Sequence, residues 1–338
     1  MRSFVVPAQP PLRPGPPPTF SITIAAYQAA HLVGEAVESA LAQTIAPHEI
    51  IVCDDGSTDD IEGALRAYRD RIRFIRKENG GEASAKNTAS RAATGEFIVH
   101  LDADDVFLPE RLEALRDLAE ARPDLDILTT DAYLEIDGTV ARRCYGPHHR
   151  FVVADQRRGI LERNFVFGLA AVRRERLLDA GGFDESILQT TDWDCWIRLI
   201  LGGSRAGLVA EPLARYRLLP GSLSSQREGH IEGRLMTLAK TASRSDLTAD
   251  ERELVAGGID YNRKALALAR ARAALLEGRT DARRRAFDVV VGRGFEPKTR
   301  AKALAAAFAP RSARARLVAR PRETTGGLFV GPLDNESL

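Results

Sequence analysis

The chain has 338 residues, 44% hydrophobic and 28% charged, with a formal net charge of +1, the composition of a soluble globular protein large enough for one sizeable domain or two modest ones. No run approaches about 18 consecutive apolar residues, so a membrane-spanning helix is not expected. The opening segment lacks the apolar core of a secretory signal, and three scattered cysteines (Cys53, Cys144, Cys195) fit neither a zinc nor a disulfide pattern, which points to a reducing, cytoplasmic setting.

The near-neutral total conceals an asymmetry. Residues 263–322 hold 17 Lys/Arg against 4 Asp/Glu, an excess of 13, so the rest of the chain carries about −12. Such a run is either a solvated helix surface or a patch for an anionic surface. A preference for arginine (42, against 6 lysines) weakens the second reading without removing it. Peripheral contact with an anionic membrane at its inner face is the partner this run suggests. No recognition motif accompanies it, and nucleic acid is not expected.

Residues 1–19, with seven prolines between Pro7 and Pro18, read as a flexible or polyproline-type lead-in. FSITIAAY (20–27) is a first strand, followed by a helix over 29–44. EIIVCDD (49–55) is a continuously apolar second strand, as when helices cover both faces of a sheet. A helix over 61–71, a third strand over 71–77 and a glycine-led helix over 79–95 come next. EFIVHLD (96–102) is a fourth strand, and Pro109 starts another helix. The short alternating links predict an α/β fold with a doubly wound, mainly parallel, Rossmann-like sheet. Beyond residue 125 the strands read as more antiparallel, with a turn at Asp137-Gly138. A helix over 191–203 turns Trp193, Trp196, Ile197 and Ile200 to one side. After Ser225 the pattern is helical only. This divides the chain into a domain over 20–225, a basic helical region over 226–322 and a loose tail over 323–338.

In such sheets ligands bind at the carboxyl ends of the strands. Those ends are Ala26-Tyr27, Asp54-Asp55 and Asp102-Ala103-Asp104, all predicted on one edge. Carboxylates at i and i+2 repel one another unless a cation intervenes. Asp102 and Asp104 suit Mg²⁺ or Mn²⁺, held by one or two carboxylates plus phosphate oxygens and water. Asp55 can accept from a base or ribose, Tyr27 can stack on a nucleobase, and Lys86 with the N-terminus of its helix can meet a phosphate. Asp59 and Asp60 read as helix caps. Asp192 and Asp194, flanking Trp193, are either dipole partners of a helix start or functional groups.

FSITIAAY, SALAQT, EIIVCDDGSTDD, NGGEASAKNTASRAATGEFIVHLDADDVFLPERL, GGFDE, TDWDCWIRL and ARYRLLPGSLS, in that order over residues 20–225, resemble the bacterial family 2 glycosyltransferases of GT-A fold. The resemblance implies an inverting, metal-dependent transferase of polysaccharide or cell-surface glycan synthesis. Its donor would be a nucleotide-diphosphate sugar, a UDP-sugar first, and its acceptor a glycan or lipid-linked saccharide. It implies Asp55 and Tyr27 at the nucleobase, with Ala26, Lys86 and Ala103 completing the donor crevice. Asp102-Ala103-Asp104 would be the DxD motif, Asp104 the direct ligand to Mn²⁺ or Mg²⁺ and Asp102 toward ribose and metal. Asp192 would be the general base, with Trp193 and Asp194 on the acceptor side and Trp196 in the core. Three positions depart from the family pattern. Thr191 stands where glutamate is common, Leu219 where a histidine often lies near metal or diphosphate, and Ala25-Ala26-Tyr27-Gln28 where proline and asparagine are frequent.

Two other readings fit parts of the sequence. Asp-x-Asp-x-Val at 102–106 is also similar to the nucleophile loop of haloacid-dehalogenase-type phosphatases, with Asp102 attacking phosphate. That loop normally follows the first core strand, whereas three strand–helix units precede it here. A non-catalytic sugar-nucleotide-binding relative fits Thr191 and Leu219.

Overall fold

The computed structural model describes residues 2–8, 17–147, 149–219 and 227–318. The expected tail, most of the proline-rich stretch and the Gly221-Ser222 segment lie outside these residues. The chain forms two compact units, Met1–Leu219 and Pro220–Leu338.

In the first unit a single mixed sheet is built from β1 (Phe4–Val5), β2 (Phe20–Ala26), β3 (Glu49–Asp54), β4 (Arg73–Arg76), β5 (Phe97–Asp102), β6 (Val106–Phe107), β7 (Ile127–Ile136), β8 (Thr139–Arg143), β9 (Ala171–Arg173) and β10 (Ala206–Leu218). The order is β1-β10-β7-β9-β5-β2-β3-β4, with β6 added to β10 and β8 to β7. Strands β4, β3, β2 and β5 run parallel, β9 is antiparallel to both β5 and β7, and β7 is parallel to β10. The helices are α1 (Val33–Leu41), α2 (Ile61–Ala64), α3 (Glu82–Ala92), α4 (Arg111–Ala121), α5 (Gln156–Glu162), α6 (Arg174–Asp179) and α7 (Thr191–Leu201). The continuous apolar runs of the sequence are the central strands: Ile22, Ile24, Ile51, Val52, Ile98, Val99 and Leu101 are all fully buried. Each such side chain contributes roughly 1.5–3 kcal/mol.

Three expectations needed correction. Residues 2–8 are not a free lead-in: Phe4 and Val5 pair antiparallel with Val209 and Leu208. Arg2 ties this strand down through Glu113 at 2.9 Å, Asp117 at 3.0 Å and Glu211 at 3.3 Å. The helix expected over 61–71 is one turn capped by Asp60, whose carboxylate accepts from the Gly63 N–H at 2.8 Å, followed by a tighter turn over Arg66–Tyr68. Pro109 lies just ahead of α4, because Val106–Phe107 first pairs with β10.

The turn at Asp137-Gly138 has positive φ at both residues (49° and 73°), the geometry that closes a two-residue hairpin between β7 and β8. The Gly-Gly-Phe stretch after α6 also needs its glycines, since Gly182 has φ 73° and a Cβ there would lie 2.3 Å from Asn87 Oδ1. Asn87 accepts from the Phe183 N–H at 2.7 Å and donates to the Phe183 carbonyl at 2.8 Å. That pair clamps the loop onto α3.

The second unit is helical over its described residues: α8 (Arg227–Ala242), α9 (Ala249–Glu277), α10 (Ala282–Val291), α11 (Pro297–Phe308) and α12 (Pro310–Val318). The Thr248 and Glu251 side chains form a reciprocal capping box at the start of α9. Its core is made mostly of alanine and leucine, among them Ala271, Ala274, Leu275, Ala286, Ala303 and Ala306. Among the described residues no helix is long and apolar enough to cross a membrane.

Candidate active site

Register places the carboxyl ends of three strands side by side. Ala25 of β2 lies between Cys53 of β3 and Asp102 of β5, and Ala26 pairs with Asp54. Ala26, Tyr27, Asp55, Asp102, Ala103 and Asp104 therefore share one edge, as the alternation of elements predicts. Tyr27 is half exposed there, while Ala26 and Ala103 are buried and form the floor. Gln28, at φ 52°, bridges this edge to the next loop: its backbone N–H donates to Ser57 Oγ at 3.0 Å and its side chain to Thr58 Oγ1 at 2.8 Å.

Asp55 does not present an open carboxylate. It is 2% exposed and accepts from Lys77 Nζ at 2.8 Å, Gly80 N–H at 3.0 Å and Gly81 N–H at 2.7 Å. Its structural role is to fold the loop that leads into α3. Only glycine suits Gly81, which has φ 89°. The N–H groups expected to meet a phosphate at this turn are thus partly taken by the protein's own carboxylate.

Lys86, expected free for phosphate, is buried between Asp102 Oδ1 at 2.8 Å and Glu82 Oε1 at 2.5 Å. Burial alone would favour the neutral amine, but Asp102 and then Glu82 outweigh it and hold the ammonium well above its ordinary range. One step along, Asp104 is partly exposed and has no salt-bridge partner among the described residues. Burial, reinforced by Asp102, pushes its carboxyl up to about 6. Asp105 is the structural member of the three. It is 1% exposed, accepts from the Arg217 N–H at 2.8 Å, and is raised well above the usual range by burial and then Asp104. Arg111, equally buried, supplies opposing charge. Burial lowers it to about 9 and Asp105 pulls it back up, while it donates to Thr130 Oγ1 and the Leu169 carbonyl.

Asp192 enters from the first turn of α7. Its Oδ2 accepts from Asn164 Nδ2 at 2.8 Å and its Oδ1 from the Trp193 N–H at 2.8 Å. Burial raises it to about 6 against the opposing charge of Lys86, and the Glu82 charge also reaches it. Lys86, paired with Asp102, therefore also acts on Asp192, although 90 residues separate Asp102 from Asp192.

Two neighbours of Asp192 are corrected. Trp193, expected on the acceptor side, is 2% exposed and donates its indole N–H to the Ile160 carbonyl at 2.7 Å. Asp194 is 3% exposed and paired with Arg198 at 2.8 Å, one helical turn on. Both fix α7 in the core, since successive helical residues point about 100° apart and these two turn toward packing partners. Trp196 is fully buried against Phe183. Thr191 is buried at the head of the helix and brings no charge. Glu82 and Asn164 were not anticipated. Glu82 had a legible signal, lying four residues before Lys86 on one helix face, whereas Asn164 reaches Asp192 only through tertiary packing.

Among the described residues no three His, Cys, Asp or Glu side chains form a cage for a metal ion. Asp104, its charge unmatched, and Asp102, anchored on one oxygen by Lys86, offer hard oxygen donors at an open edge. That set fits Mg²⁺ or Mn²⁺, which take few protein ligands and complete their shell with phosphate and water.

The glycosyl transferase family 2 model matches residues 21–179. The chain is 35% identical over 188 residues to chondroitin synthase of Escherichia coli, covering 54% of this chain and 26% of that protein. It is 33% identical over 187 residues to an uncharacterized glycosyltransferase of Rickettsia prowazekii, covering 54% of this chain and 58% of the relative. The chain thus spans less than two thirds of the length of these relatives. By fold it is similar to S. aureus TarS 1-349 in complex with UDP-GlcNAc, with TM-score 0.59 and 17% identity over 88% of this chain and 89% of that one. It is also similar to the mannosyltransferase PcManGT of Pyrobaculum calidifontis in complex with GDP-Man and Mn²⁺, with TM-score 0.54 and 20% identity over 92% of this chain and 88% of that one. The motif order and the shared strand-end edge agree with these matches: residues 21–179 are similar to glycosyltransferase family 2, and the fold is of the GT-A type.

Proposed function

We propose that the protein transfers a sugar, with inversion, from a nucleotide-diphosphate donor to an acceptor hydroxyl. The observation that carries this is Asp192, a carboxylate raised to about 6, oriented through both oxygens and acted on by the charge of Lys86, which pairs with Asp102. A general base works best with a pKa near the operating pH. Asp192 takes the proton of the acceptor hydroxyl as that oxygen attacks the anomeric carbon. The bond from this carbon to the diphosphate oxygen breaks, and the nucleoside diphosphate leaves with the electron pair. One displacement from the opposite face inverts the configuration. Asp104 and Asp102 would hold Mn²⁺ or Mg²⁺, which when bound would neutralise charge on the leaving diphosphate.

The remaining residues prepare that geometry. Lys86 anchors one oxygen of Asp102 and aims the carboxylate, and Asp55 folds the 77–81 loop beside the donor crevice. Tyr27, half exposed at the edge, offers a ring for the base. A UDP-sugar is the favoured donor, because UDP-GlcNAc is bound by a protein of the same fold, and a GDP-sugar is the second choice on the same ground. A polysaccharide end is the favoured acceptor, given the chondroitin synthase similarity, with a lipid-linked saccharide next. The test is nucleoside-diphosphate release with Mn²⁺ on a donor–acceptor panel, with NMR of the product anomer. Inverted product supports the reading. A retained anomer, or an aspartyl-phosphate formed on Asp102, contradicts it.

Asn164→Ala provides a further check on the base. Its amide stabilises the charged form of Asp192, so its loss raises the Asp192 pKa. The acidic limb of kcat/KM is expected to move above pH 6 while UDP affinity stays within about twofold. An unmoved limb would assign the titration to another group.

A further inference from the structure

We propose that the outward face of α10, α11 and α12 binds an anionic lipid surface. This inference concerns the second unit alone and rests on none of the catalytic reading. Among the described residues nine large hydrophobic side chains are exposed, and five of them fall within residues 287–318. They are Phe287 (50%), Val291 (61%), Leu304 (39%), Phe308 (77%) and Val318 (66%). Their spacing is that of helix faces. Phe287 and Val291 are four apart on α10, opposite the buried Ala282, Ala286 and Val289. Leu304 and Phe308 are four apart on α11, opposite the buried Ala303 and Ala306. The helices have already satisfied one another with their inner faces, so the outer apolar stripe is surplus to the unit's own core.

The charges around that stripe identify what covers it. Arg283, Arg284, Arg293, Lys298, Arg311 and Arg316 form no salt bridge among the described residues. Of the run's four acids, Glu277 and Asp281 are already engaged by Arg279 and Arg285. Asp288 and Glu296 remain, leaving the face strongly positive. A second copy of this chain would bring the same excess positive charge against itself. A single-stranded nucleic acid would stack on aromatics but offers nothing for Val291, Leu304 and Val318. An anionic bilayer meets both requirements: apolar side chains enter the acyl boundary and guanidinium groups meet the headgroups.

The test is sedimentation of the full chain with phosphatidylcholine vesicles, with and without phosphatidylglycerol. Binding is expected only to the anionic vesicles and is expected to weaken with salt. Arg283→Gln with Arg284→Gln should weaken it roughly 25-fold, at about fivefold per charge. Phe287→Ser with Phe308→Ser should weaken it about tenfold at unchanged charge. Circular dichroism is expected to show both variants folded, since the altered side chains are exposed. Absence of binding to anionic vesicles overturns the proposal. So does binding indifferent to both variants, a concentration-dependent dimer without vesicle binding, or capture of a DNA oligonucleotide in preference to vesicles.

Discussion

Asp192→Asn is expected to lower turnover by roughly 10³-fold while leaving nucleotide affinity and the thermal midpoint in place. The first part follows from the loss of the only proton acceptor the site presents from α7. The second follows because Asp192 makes no hydrogen bond or ion pair to Asp102 or Asp104 among the described residues and is linked to them through the charge of Lys86. The third has a sign that distinguishes a functional carboxylate from a structural one. Burial holds Asp192 up at about 6, so at neutral pH the fold carries a charge it would rather lose. A neutral amide relieves that, and the midpoint should stay or rise; a fall would make Asp192 a packing residue. In the wild type, kcat/KM is expected to drop tenfold per pH unit below about 6 and to be level above it, since the base works only when deprotonated. Saturating metal keeps Asp104 deprotonated, so the limb measured under that condition reports Asp192. A turnover loss below tenfold in Asp192→Asn would move the base elsewhere.

Asp104→Asn is the second large effect. The substitution preserves size and removes a partly exposed carboxylate that has no salt-bridge partner among the described residues. Turnover is expected to fall by about 10³-fold, and added Mn²⁺ should no longer strengthen nucleotide binding. In the metal-free protein the same change removes a charge repelled by Asp102 and penalised by burial, so the thermal midpoint should rise slightly. A variant that is inactive and also less stable would indicate misfolding. The combination of lost metal response and retained or improved stability is specific to a ligand.

The difference between Asp104 and its neighbours shows what sequence can and cannot reveal. Three aspartates in four positions announce a site, and the strand-to-helix alternation places them on the edge shared with Asp55 and Tyr27. Their division of labour was only partly legible. Asp105 reads as structural from its place after the motif, yet its counter-charge, Arg111, acts from the next helix and its hydrogen bond comes from Arg217, 112 positions away. Lys86 reads as a phosphate ligand when only its helix is considered. The register of β5 against β2 brings Asp102 to it instead. Asp55 follows the same rule, since its donors, Lys77 Nζ and the N–H groups of Gly80 and Gly81, lie 22 to 26 residues on. Trp193 and Asp194 were placed on the acceptor side by adjacency to Asp192, but adjacent residues on a helix diverge by about 100°. In the fold, the parallel half of the sheet follows from apolar runs and short links. The antiparallel insertion of β9 depends on partners 72–76 residues away in β5 and 43–45 away in β7, the edge strand β1 on partners more than 200 residues away, and periodicity carries no trace of them.

The claim on which the rest depends is that this edge holds a nucleoside diphosphate through a divalent cation on Asp104. Calorimetric titration of UDP into the full chain, with and without Mn²⁺ and repeated on Asp104→Asn, addresses it most directly. The account predicts binding that strengthens at least tenfold with Mn²⁺ in the wild type and shows no metal response in the variant. Equal UDP affinity in all four titrations, or a full metal response in Asp104→Asn, would contradict it.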